Sequence, residues 1–263
     1  MYSFQYQKPA DVAGVASALA AGAQALAGGQ TLIASMKLRL SQPGSIVDLG
    51  AVPELRGICR DGQSIVIGAM TRHVDVSRNA EVRSLIPALA QLAGGIGDRQ
   101  VRAMGTLGGS VANNDPAACY PSAVLALGAT IRTNRREIPA DAFFQGVYTT
   151  ALESGELITA IAFPIPRAAA YAKFRQRASR FPLIGVFVAD TGKGVRVAIT
   201  GGGNGVFRHA GLEAALSARF SPDVVDAVEI DPGVLGNDLH ATADYRAQLI
   251  RVQTRRAVQR AHA

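Results

Sequence analysis

Two glycine-rich segments constrain this chain more than any other feature. The first, Ala27-Gly28-Gly29-Gln30-Thr31-Leu32, lies between a predicted strand over 24–27 and a predicted helix over 31–40. Paired glycines at such a junction let backbone N–H groups approach an anion, and the start of a helix adds partial positive charge. Thr31 adds a hydroxyl donor. The spacing is neither the six-residue dinucleotide fingerprint nor a P-loop, because no Gly-Lys-Ser/Thr follows. The second segment, Gly105-Thr106-Leu107-Gly108-Gly109-Ser110, leads into Asn113-Asn114-Asp115-Pro116. Two such segments about eighty residues apart can embrace both phosphates of a dinucleotide. On the residues alone, a pair of unrelated turns is the alternative.

The elements around them predict an α+β fold. Val12, Val15 and Leu19 recur at helical spacing after Pro9. A strand over 45–49 follows, then a hairpin of 55–60 and 64–67 about Asp61-Gly62. A helix over 84–93, a glycine-rich connection over 94–109, a helix over 120–127 and strands over 130–133 and 157–163 complete this part. Pro164 and Pro166 mark the expected boundary, giving domains of 1–166 and 167–263. The first would have two lobes, about 1–52 and 53–166. In the second, strands over 171–176, 185–189 and 195–200 predict a three-stranded antiparallel sheet. Thr191-Gly192-Lys193-Gly194 turns between the last two. Helices over 209–218 and 241–261 follow.

Composition excludes several functions. The chain has two cysteines, Cys59 and Cys119, which argues against a disulfide framework and for a reducing, cytoplasmic setting. An iron–sulfur cluster needs about four cysteine ligands, so this chain cannot hold one alone. No zinc-type spacing is present, and no metal ligand is assigned. No signal peptide is expected from the N-terminal residues, and no apolar run reaches membrane-spanning length. The net charge of +7 is spread along the chain, unlike a nucleic-acid patch. Arg251, Arg255, Arg256 and Arg260 have helical spacing and read as a solvated or subunit-facing stripe. His73, His209 and His240 show no nucleophile–base pairing, so no catalytic residue is assigned. His73 reads as a structural residue in a polar helix start, and Cys119 as a buried small residue.

At the glycine segments the chain resembles the FAD-binding medium subunits of the carbon monoxide dehydrogenase and xanthine oxidase family, the molybdenum hydroxylases. Residues 27–32 followed by Met36-Lys37-Leu38-Arg39-Leu40 resemble the family's first flavin segment. Arg102-Ala103-Met104 with 105–109, and Asn113 to Ala118, resemble the second. Lys173-Phe174-Arg175-Gln176, Ala178-Ser179-Arg180-Phe181, Asn237-Asp238-Leu239-His240 and Ala243-Asp244-Tyr245-Arg246 resemble its C-terminal domain. The resemblance implies a two-lobed FAD-binding domain of the vanillyl-alcohol-oxidase/PCMH type. It also implies an electron-transfer role, in which FAD relays electrons from [2Fe-2S] clusters to an external acceptor. A small partner subunit would hold the two clusters, and a large partner the molybdopterin cofactor and the substrate site. The assembly would be a dimer of heterotrimers. With no clear NAD signature, a quinone, a cytochrome or oxygen is the expected acceptor.

Carried over by position, Ala27, Gly28, Gly29, Gln30, Thr31 and Leu32, with Thr106, Leu107, Gly108, Gly109 and Ser110, are expected to hold the pyrophosphate. Ile96 falls on the adenine side. Asn113 and Asp115 approach the ribityl chain or flavin, and Leu157 or Ile158 flanks the cofactor. Phe181 lies beside the isoalloxazine, with Lys173 or Arg175 near its edge. Many relatives carry an acid where this chain has Cys119. A bulky side chain at Gly29 or Gly108 is expected to expel FAD while leaving much of the fold. The alternative function is a cofactor-free scaffold subunit.

Overall fold

The computed structural model describes residues 1–262. The first lobe is a small parallel sheet. β1 (Gln5–Gln7), α1 (Val12–Ala20), β2 (Gln24–Leu26), α2 (Leu32–Lys37) and β3 (Ser45–Asp48) follow in order, and the strands lie β1-β3-β2. Asp11 caps α1 by accepting from the Gly14 N–H at 2.7 Å. Val15 and Ala18 of α1 then pack with Val47, Val52, Leu55 and Leu157. α2 is shorter than the spacing predicts. It stops at Lys37 because Arg39 turns to φ 60°, off the helical path.

A second lobe is built on an antiparallel sheet. Its elements are β4 (Ile58–Asp61), β5 (Ser64–Gly68), α3 (His73–Arg78), α4 (Ala80–Leu85), α5 (Pro87–Gly94), α6 (Arg99–Met104), α7 (Leu107–Asn113), α8 (Tyr120–Ala126), β6 (Thr130–Thr133), β7 (Glu137–Pro139), α9 (Ala140–Phe143), a hairpin of β8 (Phe144–Gly146) and β9 (Thr149–Thr150), and β10 (Ile158–Pro164). The strand order is β4-β5-β10-β6-β7. The expected hairpin turns at Asp61-Gly62, with Gly62 at φ 58°. The expected helix over 84–93 is split, since Ile86 leaves helical geometry and Pro87 starts a new helix. The glycine-rich stretch over 94–109 contains α6 and the start of α7. Asp98 caps the first through the Val101 N–H, and Thr106 caps the second through the Gly109 N–H.

The third sheet is antiparallel, as expected, from β11 (Ala168–Arg175), β12 (Pro182–Asp190) and β13 (Val195–Thr200), with a short fourth strand, β14 (Phe207–Arg208), on its edge. α10 (Ala210–Ala218) and α11 (Ala243–Ala261) complete the chain. Alternation along β11 sends Ala170 and Ala172 into one core with Leu249, Ile250 and Val258 of α11. Tyr171, pointing the other way, joins the second-lobe core beside Phe187. Buried Arg246 donates to the Leu183 carbonyl at 3.0 Å and to Asp238 at 2.7 Å, tying α11 to the sheet. Among the described residues no helix is long and apolar enough to cross a membrane.

One buried carboxylate makes a measurable pH dependence. Glu156 accepts from Arg136 at 3.0 Å through both oxygens, from Thr133 Oγ1 at 2.8 Å and from the Glu153 N–H at 2.9 Å. Hydrogen bonds from Arg136, foremost, hold its carboxyl down from 4.5 to about 2. A lowered folded value means stability fully present above the unfolded value near 4.5 and lost as pH falls towards 2. The full shift corresponds to about 3 kcal/mol; Arg136 is partly solvated, which reduces the expected contribution to about 1–2 kcal/mol. Glu156→Gln is therefore expected to flatten the acid limb of a urea-unfolding series between about pH 5 and pH 2, the window bounded by the two values. An unchanged acid limb would refute this account.

Candidate functional site

The two glycine segments meet. A Cβ on Gly28 would lie 2.3 Å from the Met104 carbonyl oxygen and 2.7 Å from the Gly105 Cα, so only a glycine lets these backbones approach so closely. A Cβ on Gly109 would lie 3.2 Å from that of Ala27. Gly29 sits at φ 69°, a conformation that glycine adopts without strain. Gln30 donates to the Gly28 carbonyl at 3.2 Å. The amide N–H groups of residues 28–32 donate none of the hydrogen bonds among the described residues. They form a row of uncommitted donors beside the second segment, while Ile33 already bonds back to Gly29 at 3.1 Å.

The second segment differs. Leu107 N donates to Thr71 O at 3.0 Å, Gly108 N to Ala69 O at 2.8 Å, Gly109 N to Thr106 Oγ1 at 3.2 Å and Ser110 N to Thr106 O at 3.1 Å. Its amides from Leu107 to Ser110 are thus engaged, and what it offers is a close wall, the Thr106 N–H and the Ser110 hydroxyl. Gly108 does not border open space. A Cβ there would fall 2.5 Å from that of Ala69. This corrects the expectation for a bulky residue at position 108, which would strike the core before any ligand.

Past α7 the chain turns sharply. Asn114 is fully buried at φ 44°, and its amide nitrogen donates to the Gly146 and Thr149 carbonyls at 2.8 Å each. Asp115 accepts from the Ala117 N–H at 2.8 Å and from the Tyr148 hydroxyl at 3.3 Å. Burial and the Asp115 charge raise the Tyr148 pKa. Asn113 and Asp115 are half-buried beside this hairpin. Sequence reasoning missed Tyr148, whose positive φ of 53° leaves no trace in its neighbours. It also passed over a third glycine run, 201–205, although the repeat is plain. Gly201 donates to the Pro116 carbonyl at 2.8 Å, and Gly205 packs against Gly146.

Lys173 joins the rest. Its Nζ donates to the Gly95 carbonyl at 2.8 Å, the Arg180 carbonyl at 3.1 Å and Cys119 Sγ at 3.4 Å. It thereby holds the loop bearing half-buried Ile96 against the turn bearing exposed Phe181. Arg180 reinforces this through the Gly97 carbonyl at 3.2 Å, and Arg175 is exposed. Cys119 is buried, as expected. Leu157 and Ile158 are both buried, in the first- and second-lobe cores respectively, and Ala27 packs on the same core as Leu157.

The histidines add no acid–base machinery. His73 begins a helix, but its surroundings are not polar. It is 4 % exposed, its ring stands 5.3 Å from that of Tyr120, and burial, then the Arg102 charge, lowers its pKa to about 4. His209 caps α10 by accepting from the Leu212 N–H at 3.2 Å. Among the described residues no cluster of histidine, cysteine and carboxylate side chains could hold a metal.

Residues 2–166 match the family model described as the FAD binding domain in molybdopterin dehydrogenase. The chain is 33% identical to the carbon monoxide dehydrogenase medium chain of Hydrogenophaga pseudoflava, over 99% of this chain and 97% of that one. It is 31% identical to the nicotine 6-hydroxylase medium subunit of Paenarthrobacter nicotinovorans, over 97% and 96%. Its structure superposes with a TM-score of 0.91 on a chain of the Hydrogenophaga pseudoflava carbon monoxide dehydrogenase lacking the Mo-pyranopterin moiety of its cofactor. That match has 32% identity and covers 99% and 98% of the two chains.

Proposed function

This chain belongs to the family of the FAD binding domain in molybdopterin dehydrogenase, and from that premise we propose that it binds one non-covalent FAD as the medium subunit of a molybdenum hydroxylase. The observation that carries the reading is the row of uncommitted amides at 28–32, held against the second glycine segment by the close approach at Gly28. Oriented N–H groups of this kind suit a diphosphate. Bound there, FAD would supply electron transfer between partner-held [2Fe-2S] clusters and an external acceptor.

The chain's own residues bind and orient. Residues 27–32 donate to the pyrophosphate, and Thr106 to Ser110 wall it in. Ile96 offers an apolar contact on the adenine side. Asn113 and Asp115 position the ribityl end, with Tyr148 fixing the Asp115 carboxylate. Lys173 sets the spacing between Ile96 and Phe181 by its three bonds. Leu157 and Ile158 support the site from the two cores. In this reading 1–166 is the FAD-binding domain and 167–263 a separate C-terminal domain. A large molybdopterin subunit and a small iron–sulfur subunit are the partners, since two cysteines cannot supply a cluster.

Acid release from the purified native protein is expected to yield FAD in near-stoichiometric amount, read by absorbance and chromatography. A folded, colourless native complex containing this chain would leave the scaffold reading in its place.

A further inference from the structure

Arginines on two short helices line a second hollow. The groove between α3 and α6 is a hollow of about 620 Å³, open to solvent on one side, lined by Val74, Ser77 and Arg78, by Arg99, Arg102 and Ala103 opposite, and by Gly94 at the end of α5. Each set has i, i+3, i+4 spacing, so each presents one helical face. No lining residue is acidic. None of the three arginines forms an ion pair among the described residues, whereas Arg132, Arg136, Arg196, Arg208 and Arg246 are each paired with a carboxylate. Of the nearby acids, Asp98 is committed to capping α6, and Asp75 lines the adjoining hollow that Arg78 shares, without forming an ion pair with it.

We propose that this hollow is an anion site for a phosphate-bearing small molecule of nucleotide size, separate from the glycine-segment site. Like charges gathered around one hollow repel, and a bound anion relieves that repulsion. Guanidinium groups match phosphate oxygens in geometry as well as charge. Arg102 is already held in place, because its Nη1 donates to the Ile96 and Gly97 carbonyls at 2.8 and 3.0 Å. The volume falls in the range of small-molecule sites, roughly 300–1,000 Å³. Buried His73 nearby, with its pKa at about 4, is neutral at pH 7 and neither helps nor opposes an anion there. Affinity for an anion at such a site falls as salt rises.

The inference does not depend on the flavin reading, and its test separates the two. The full chain, with FAD content measured, is titrated calorimetrically with ADP, pyrophosphate and adenosine. ADP and pyrophosphate are expected to bind saturably and adenosine not, with affinity falling as salt rises. Arg78→Glu and Arg99→Glu, both exposed positions, should each weaken ADP binding by about tenfold or more while circular dichroism and FAD content hold. Absence of saturable binding at millimolar ADP overturns the proposal, as does binding that both variants retain. Loss of FAD from Arg99→Glu also overturns it, by assigning the hollow to the flavin's own phosphates. Loss of a partner subunit from the complex, with no ADP binding, overturns it in favour of an acidic protein contact. A chain that carries no FAD yet binds ADP in the arginine-dependent way upholds this site and refutes the flavin reading alone.

Discussion

Gly28→Ala is expected to strip FAD from the protein. The new methyl would stand 2.3 Å from the Met104 carbonyl oxygen and 2.9 Å from its carbon. Both are backbone atoms in the turn between α6 and α7, so no side-chain rotation relieves the contact. The two segments must separate. An overpacking cost of about 3 kcal/mol charged to the bound state corresponds to roughly a hundredfold weaker retention. The C-terminal core, built from other residues, should keep its structure. Gly44→Ala is the control, since a Cβ there meets nothing within 4 Å, and it should retain its flavin. Gly108→Val should behave differently from both. Its side chain would collide with Ala69 inside the second-lobe core, so thermal stability falls and flavin loss follows unfolding. Flavin absorbance and circular dichroism on the same samples separate these outcomes. Full occupancy in Gly28→Ala, with an unchanged spectrum, would show that the approach of the two segments does not shape the site.

The relay role makes the second large expectation. The isolated chain should show no turnover with any hydroxylase substrate. It has two cysteines, one exposed and one buried, and no metal-binding cluster among the described residues. His73 is buried and His209 is occupied as a cap, while exposed His240 and His262 lie far along the chain from the glycine segments. In the complex, removal of FAD should abolish reduction of the physiological acceptor, to the background of the assay. Substrate should still reduce the partner-held centres, which the proposed relay puts upstream of the flavin. Rapid mixing followed by absorbance at the cluster and flavin bands reads both steps. Undiminished acceptor reduction by a verified FAD-free complex would rule the relay out.

Much of this arrangement was legible locally. The hairpin at Asp61-Gly62, the alternating strands of the C-terminal sheet and the long final helix each follow from neighbouring residues. Their periods and turn pairs are properties of a short stretch of chain. The caps Asp98 and Thr106 were also in view. The density of glycine around them hides the two helices within 94–109, although a capping side chain bonded three residues on is itself a local signal.

The sequence by itself determined the family resemblance, the two glycine segments, the absence of enough cysteine for a cluster, and the α+β order of elements. Only the tertiary structure decided what each glycine is for. Gly28 admits a neighbouring backbone, Gly29 takes a positive φ, and Gly108 packs against Ala69. In a sequence the three look alike, because a missing side chain carries no record of what comes close to it. The grip of Lys173 on Gly95, Cys119 and Arg180, the bond from Tyr148 to Asp115 and the burial of His73 were hidden for the same reason. Each joins segments far apart in the chain, and such contacts exist only once separate cores have formed and set their distances.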